Sequence, residues 1–192
     1  MKAKTKALAL ALCAVLLVTG SVLTTLAFLK DSDAVVNTFT IGQVDIELDE
    51  AEVDEYGCVK GDTRLKANTY KLIPGHSYTK DPTVHFAAGS EASWLFVKVE
   101  NGLADIEAGD TIATQILSNG WTALTGQSGV YYRQAAANTG TAAVDYPVFG
   151  SFTLDGEADI SDYTDASIKV TAYAIQADGF ETAADAWIEA GK

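Results

Sequence analysis

The chain has 192 residues and a formal net charge of −13, and 48% of its residues are hydrophobic. This length fits a single domain, and the composition is that of a globular protein and not of a disordered one. The acidic balance, together with the lack of a basic patch with interleaved aromatic residues, excludes nucleic acid as a partner and makes anionic lipid a poor one.

The chain begins with an apolar leader. Lysines occur within the first six residues, and an uncharged run follows from Ala7 to Leu29. That run is long enough to span a bilayer and longer than the hydrophobic part of an ordinary signal peptide. It fits either a retained anchor or a signal peptide, and the small residues Thr25 and Ala27 favour cleavage between Ala27 and Phe28. Both alternatives place the rest of the chain outside the cytoplasm.

Cleavage would divide the chain into a signal peptide over 1–27, an N-terminal segment over 28–40 and a β-sandwich domain over 41–192. Because the leader holds three lysines and no acidic residue, its removal lowers the net charge by three, to −16. Cys13 leaves with the leader, so Cys58 is the only cysteine of the mature chain. We expect that thiol to be partly buried and to form no disulfide within the chain.

Beyond the leader, the sequence predicts short strands separated by turns. Apolar and polar residues alternate over 37–48, with a phase slip at Gly42 that is typical of a bulge. The acidic stretch 49–62 is predicted to be a loop, and Pro74–Gly75 a turn between two short strands. The run SWLFVKVEN predicts a strand that is covered on both faces.

Two segments show helical spacing instead. The stretch that ends at Asn119 and Gly120 predicts one helix or two short ones, and the last residues predict an amphipathic helix with Thr182 as N-cap and Gly191 as stop. The whole pattern indicates a mainly β fold, an antiparallel β-sandwich with one or two short helices. Its core is predicted to include six aromatic residues: Trp94, Phe96, Trp121, Phe149, Phe152 and Tyr173.

Candidate catalytic groups are sparse. His76 and His85 lie on different segments, and a metal pair helped by Asp81 competes with two unrelated loop or strand-edge imidazoles. The sequence has no HExxH motif, no GxSxG elbow and no phosphate-binding loop. The acidic neighbours of Cys58 disfavour its thiolate. We therefore predict that the protein is not an enzyme and has no catalytic residue and no cofactor.

Clustered acidic residues are the one recurring polar feature. In the stretch DGEADISD, four carboxylates are spaced so that their oxygens could ligate calcium: Asp155, Glu157, Asp159 and Asp162. The stretch lacks the glycine and the terminal glutamate of an EF-hand, so a solvated acidic loop is the alternative. No other metal site is predicted.

Several stretches together resemble a known family. The long leader ends in TTLAFLKD and is followed by NTFTIGQVDIELDE, and LIPGHSYTKDPTVHF and VTAYAIQADGFETAADAW come further along. These stretches resemble the TasA/CalY (camelysin) group of Gram-positive secreted proteins, whose leader a SipW-type signal peptidase removes. The resemblance implies a jelly-roll-like sandwich and a structural role in extracellular fibres or biofilm matrix. The camelysin name also carries a metalloprotease activity, which the missing zinc motif does not support.

The resemblance further implies assembly by strand donation, in which the mature N-terminal segment completes the sheet of the next subunit. Here the donated segment would be about Phe28 to Thr40, with Val35, Val36 and Phe39 available for pockets. Strand addition demands little of side-chain identity, and head-to-tail donation makes filaments because it does not close. The expected partners are copies of the chain or related matrix subunits. Alternatively, the segment pairs within its own domain or stays disordered.

A second interpretation is a membrane-anchored surface module that binds carbohydrate or mediates adhesion. It relies on exposed aromatic residues as ligand contacts: Tyr131, Tyr132, Tyr146 and Trp187. Packing of these rings in the core or at a sheet edge is the structural alternative. A metalloprotease is the third and least supported interpretation.

Overall fold

The computed structural model describes residues 43–191. This part of the chain is mainly β, with antiparallel sheets and two short α-helices. The predicted cleavage site and assembly strand lie outside the described residues, which applies to Ala27, Phe28, Val35, Val36 and Phe39.

The elements within residues 43–191 follow one another in a simple order. The strands are β1 (Ile46–Val53), β2 (Val59–Leu65), β3 (Ser77–Thr79), β4 (Thr83–Phe86), β5 (Ser93–Asn101), β6 (Thr122–Ala123), β7 (Val130–Ala135), β8 (Val144–Pro147), β9 (Ser151–Thr153) and β10 (Ile168–Gln176). The α-helices are α1 (Ile112–Ser118) and α2 (Ala183–Ala190), and single 3-10 turns lie at Ala104–Ile106 and Ser161–Tyr163.

Two four-stranded sheets contain most of these strands. Their strand orders are β2-β1-β4-β8 and β10-β5-β7-β6, and a small third sheet pairs β3 with β9. All of the pairings are antiparallel. The most extended pairing joins β10 to β5, from Ile168 opposite Asn101 to Gln176 opposite Ser93.

Strand β5 separates two hydrophobic clusters. Leu95 and Val97 face the main core, which also contains Val84 from the other large sheet. Trp94 and Phe96 face a smaller cluster that packs against α2. Because alternate side chains of a strand point to opposite faces, one apolar run serves both clusters, and the predicted two-sided strand is confirmed.

Five of the six predicted core aromatic residues are buried, and Tyr173 is half-buried. Phe152 stacks on Tyr78 with ring centroids 4.8 Å apart in the main core. Tyr173 instead lies edge-on to Trp187 of α2, at 5.2 Å. The aromatic residues therefore hold together both clusters and not the main core alone.

The acidic stretch 49–62 is not a loop, so that prediction is wrong. Most of it belongs to β1 and β2, which form a hairpin around the turn Asp54–Cys58. The Asp54 side chain accepts hydrogen bonds from the backbone N–H groups of Tyr56 and Cys58, both at 2.9 Å. A carboxylate that caps the turn explains why acidic residues occur in a hairpin here.

The turn at Pro74–Gly75 is confirmed, but only its second flanking strand forms. Residues 66–73 are not in a strand, whereas β3 begins two residues after the turn. Tyr78 explains part of this, because its hydroxyl accepts a hydrogen bond from the Ile73 N–H and donates to the Lys71 carbonyl oxygen. These side-chain contacts use backbone groups that strand pairing would otherwise occupy.

Both predicted helical segments are confirmed. The first forms the 3-10 turn and α1, whose C-cap Asn119 is followed by Gly120 with its positive φ of 84°. In α2, the Thr182 side chain accepts from the Asp185 N–H, and the Gly191 N–H bonds the Trp187 carbonyl. Capped ends and one buried face stabilise helices this short.

Candidate functional site

Each large sheet ends in two outer strands, and three of these four strands are poorly suited to pairing with another chain. Strand β2 carries the charged residues Lys60, Asp62 and Arg64. Strand β8 has 4 residues and contains Pro147, and β6 has only 2 residues. Charge, proline and short length are the usual means by which sheet edges are protected.

Strand β10 is the exception. It is 9 residues long, reads IKVTAYAIQ and carries one charged residue, Lys169. Within the described part of the chain, β5 is the only strand that pairs with it. Its apolar side chains contact the main core or the α2 cluster and are half-buried: Ile168, Val170, Ala172, Tyr173, Ala174 and Ile175. A long, mainly apolar outer strand is a template for strand addition.

The backbone of β10 presents a regular set of groups to its open side. Just beyond its two ends, the Gly102 N–H donates to the Ser167 carbonyl oxygen and the Ala177 N–H donates to the Ala92 carbonyl oxygen. Hydrogen-bonded positions alternate in an antiparallel ladder, so the odd-numbered residues bond β5. The even-numbered backbone groups of β10, from Ile168 to Gln176, point away from it.

A groove accompanies the first half of β10. It consists of two cavities, of about 460 and about 350 Å³. Both linings include Asn68, Lys80, Ser167 and Ile168, so the cavities are neighbours at the start of the strand. The smaller cavity also borders Leu48–Glu50 of β1, and the larger one extends past the start of β10.

The larger cavity is lined by rings and aliphatic side chains and, to about the same extent, by polar groups, and we call it the Tyr70 pocket. Its apolar lining consists of Tyr70, Leu72, Leu103, Phe152, Ile160, Tyr163, Ala166 and Ile168. The rings of Tyr70 and Phe152 meet edge-on at 5.5 Å. Burial, assisted by the negative charges of Glu50 and Asp81, raises the pKa of Tyr70, whose hydroxyl donates to the Thr79 carbonyl oxygen. The pocket wall is therefore uncharged at this ring.

A buried ion pair lies where the two cavities join. The Lys80 ammonium contacts Glu50 Oε2 at 2.5 Å, and the exposed fractions of these residues are 9% and 5%. Asn68 Nδ2 donates to Glu50 Oε1 at 2.9 Å. Because each charge is compensated by the other, the pair adds a polar junction to the groove without adding net charge.

The structure does not bring together the His76–His85 metal pair that was the alternative to two unrelated imidazoles. His76 Nε2 lies 2.9 Å from the carbonyl oxygen of Tyr56. His85 lies between two carboxylates, with Nε2 at 2.8 Å from Asp49 and Nδ1 at 2.6 Å from Asp145. Asp81 bonds Arg64 instead of a histidine. The histidines therefore have separate partners.

The contacts of His85 join three neighbouring strands, β1, β4 and β8. Burial lowers the pKa of His85, but the hydrogen bonds to Asp49 and Asp145 outweigh it and raise that pKa above its usual value. Burial likewise raises the pKa of Asp49, but bonds from Arg64 and His85 lower it overall. A raised histidine pKa and a lowered aspartate pKa are what ion pairing produces. These ion pairs therefore stabilise the outer face of the sheet.

The four candidate calcium ligands lie after β9 on the loop and the 3-10 turn Ser161–Tyr163. Asp155 Oδ1 accepts from the Glu157 N–H at 2.8 Å, and Asp159 Oδ1 accepts from the Ser161 N–H at 3.0 Å. Two of the four carboxylates thus bond their own loop. Over residues 43–191, no group of three or more His, Cys, Asp or Glu side chains is placed to hold a metal ion. A solvated acidic loop stays the prediction for this stretch, with calcium ligation as its alternative.

The four candidate ligand-contact rings pack against the domain. Tyr131 and Tyr146 contact the main core, while Tyr132 and Trp187 contact the smaller cluster, and all four are half-buried. The Arg133 guanidinium lies 4.3 Å from the centre of the Tyr146 ring and covers it. Packing therefore accounts for these rings.

Cys58 is exposed, which corrects the expectation of a partly buried thiol. It ends the turn between β1 and β2, where its backbone N–H is bonded to Asp54. The turn fixes the backbone at this position and leaves the side chain outside the core.

Comparison of the chain with protein-family models, curated proteins and solved structures found no match. Among the helices of residues 43–191, none has the length and apolar character needed to cross a membrane.

Proposed function

We propose that the protein is a secreted, non-enzymatic structural subunit of extracellular fibres or biofilm matrix on a Gram-positive cell surface. Cleavage after Ala27 by a SipW-type peptidase releases the N-terminus, and residues 28–40 of one copy add as a strand to the next copy. The resemblance to the TasA/CalY group suggested this function. The open edge of β10 is the observation that carries it.

Strand addition at β10 is favourable on physical grounds. Five even-numbered positions, from Ile168 to Gln176, present backbone groups to the open side. Each intermolecular hydrogen bond contributes about 0.5–1.5 kcal/mol net. An added strand would also cover the half-buried apolar side chains of β10 on both faces, and covering apolar surface contributes about 25 cal/mol per Å².

The proposal includes a finer description of the fold, in which the two large sheets form a jelly-roll-like sandwich. Its support is that Val84 and Phe86 of one sheet share the main core with Leu95 and Val97 of the other. A sandwich has outer strands, unlike a closed barrel, and these strands must be protected or paired. Three are protected by charge, proline or length, which leaves β10 for pairing.

The proposal is tested by purifying the chain from Phe28 onward and a version that lacks residues 28–40. We expect the first to form filaments that electron microscopy and light scattering detect, and the second to stay monomeric. The proposal is refuted if both stay monomeric over days of concentration and acidification, or if both assemble equally.

The N-terminus of the naturally produced protein decides between secretion and anchoring. Mass spectrometry should find Phe28 as the first residue of the protein recovered outside the cell. An intact Met1 would instead identify a membrane-anchored surface module, the second interpretation of the leader.

A further inference from the structure

We infer that the Tyr70 pocket is the site that receives one aromatic side chain of the added strand, and that this side chain is Phe39 of the neighbouring copy. The inference rests on the proposed function, because it names the anchor residue and the pocket of the same strand addition. The Tyr70 pocket thereby gains a role in binding the added strand.

The position of the pocket is the first argument. Ser167 and Ile168 line both the Tyr70 pocket and the smaller cavity beside β10. A strand that pairs with the even-numbered backbone groups of β10 therefore passes the mouth of the pocket at Ile168. Extended peptides that add to a sheet edge gain specificity when alternate side chains enter such pockets.

The chemistry of the pocket is the second argument. Its volume of about 460 Å³ accommodates a large side chain, and Tyr70, Phe152 and Tyr163 provide ring surfaces. The one ammonium group in its lining, that of Lys80, is already paired with Glu50. An uncharged aromatic side chain fits this lining, since a second charge would have to lose its water without finding a partner.

The sequence of the added segment selects Phe39. Residues 28–42 contain two aromatic residues, Phe28 and Phe39. In a strand, Phe39 is flanked on its own face by Val35, Asn37 and Ile41, and the two aspartates of that face, Asp31 and Asp33, lie further toward the free end. The face of Phe28 carries Lys30 and Ser32 next to the ring. An apolar face suits the core side of β10, so Phe39 is the ring presented to the pocket.

Length and charge agree with this occupant. Fifteen residues from 28 to 42 extend to about 50 Å, against about 30 Å for a nine-residue strand. Lys66 and Lys169 line the smaller cavity beside Asp49 and Glu50, and each lysine has an exposed contact with a carboxylate of its own domain, Glu47 and Glu100 respectively. Asp31 and Asp33 of the segment can compete for these two lysines, because exposed ion pairs are weak.

The test uses the chain from Phe28 onward and measures the lowest concentration at which it assembles. We expect Phe39→Ala to raise that concentration about a hundredfold, the lower end of the cost of truncating a buried phenylalanine. The matched control, Phe28→Ala, should change it by less than about threefold. Equal effects of both variants, or a larger effect of Phe28→Ala, overturn the assignment to Phe39.

A second pair of variants tests the pocket. Thr164 is exposed and lines the pocket, so Thr164→Phe should fill it and raise the assembly concentration, while Thr164→Ser should not. Combined with Phe39→Ala, Thr164→Phe should add little, because both remove the same contact. Fully additive effects would place Phe39 elsewhere. Circular dichroism melting of each variant confirms that the domain is folded.

The outcomes separate this inference from the proposed function. If deletion of residues 28–40 leaves assembly unchanged, strand donation itself fails. If that deletion abolishes assembly but Phe39→Ala does not weaken it, strand donation stands and the pocket assignment is wrong.

Discussion

At the scale of single residues, burial decides which ion pairs matter. Lys80 and Glu50 are nearly inaccessible, whereas Lys66 and Glu47 form a pair of the same type at 2.7 Å with about two-thirds of each side chain exposed. Removing one member of a buried pair leaves an uncompensated charge, while an exposed pair is worth little because water screens it.

We therefore expect Lys80→Met to lower the free energy of unfolding by about 3–5 kcal/mol. Lys66→Met, the matched control, should lower it by less than about 1 kcal/mol. Adding Glu50→Gln to Lys80→Met should recover much of the loss, since the remaining charge is removed. Urea unfolding measures all three variants, and equal losses for the two lysines would contradict the argument.

The His85 contacts predict a pH dependence. Its pKa in the folded protein is above the usual 6.5, so its contribution to stability is full below pH 6.5 and is lost as the pH rises through the folded value. The pKa of Asp49 is below the usual 3.8, so its contribution is present above that pH and is lost on acidification through the folded value.

We expect His85→Gln to be less stable than the parent chain below pH 6.5, with the difference shrinking as the pH is raised. Urea midpoints measured across this range provide the comparison. A constant difference at every pH would show that His85 acts through packing alone.

At the scale of elements, local periodicity and capping residues predicted β5 and α2. The apolar residues of β5 and α2 recur with the periods of a strand and of a helix, because those are the spacings that bury them. Thr182 and Gly191 mark the ends of α2. The β1–β2 hairpin was missed, because the side-chain cap by Asp54 is invisible to a composition rule that assigns acidic stretches to loops.

The groove and the Lys80–Glu50 pair could not be predicted from the sequence either. Lys80 and Glu50 are 30 positions apart in the chain, and only tertiary packing brings them together. The same holds for the groove, which residues from distant parts of the chain line. A signal for the open edge did exist in the sequence. The run IKVTAYAIQ has apolar residues on both faces and one charge, which marks a strand whose edge is unprotected.

The alternation of backbone groups along β10 gives a prediction for this element. Ala172 is even-numbered, so its N–H points to the open side and Ala172→Pro removes no bond to β5. We expect Ala172→Pro to stay folded and to block acceptance of a strand, whereas Ala172→Ser assembles like the parent. Normal filament formation by a folded Ala172→Pro chain would exclude this edge as the acceptor.

At the scale of the whole molecule, charge opposes assembly. If the leader is cleaved as proposed, the chain has a net charge of −16 and repels its copies, and this repulsion is screened within about 10 Å at 0.1 M salt. The backbone bonds of an added strand are insensitive to salt by comparison.

We accordingly expect assembly of the chain from Phe28 to be faster at about 0.5 M than at about 0.01 M salt. We also expect it to be faster near the pI of this chain than at neutral pH, and that pI lies below the value of about 4.4 for the full 192 residues because three lysines are removed. Light scattering follows both series. Slower assembly at high salt would mean that attraction between the groove lysines and Asp31 and Asp33 outweighs the overall repulsion.

The inequality of the outer strands has a further consequence for growth. In the proposed assembly, a subunit with one open edge and one donated segment gives a filament two chemically different ends. A copy lacking residues 28–40 can accept a donated strand at its own β10 but has no strand to donate to the next copy. Such a truncated copy acts as a chain terminator, and its proportion in the mixture sets the mean filament length. Proteolysis of the N-terminal segment would then regulate the size of the matrix fibres without changing the folded domain.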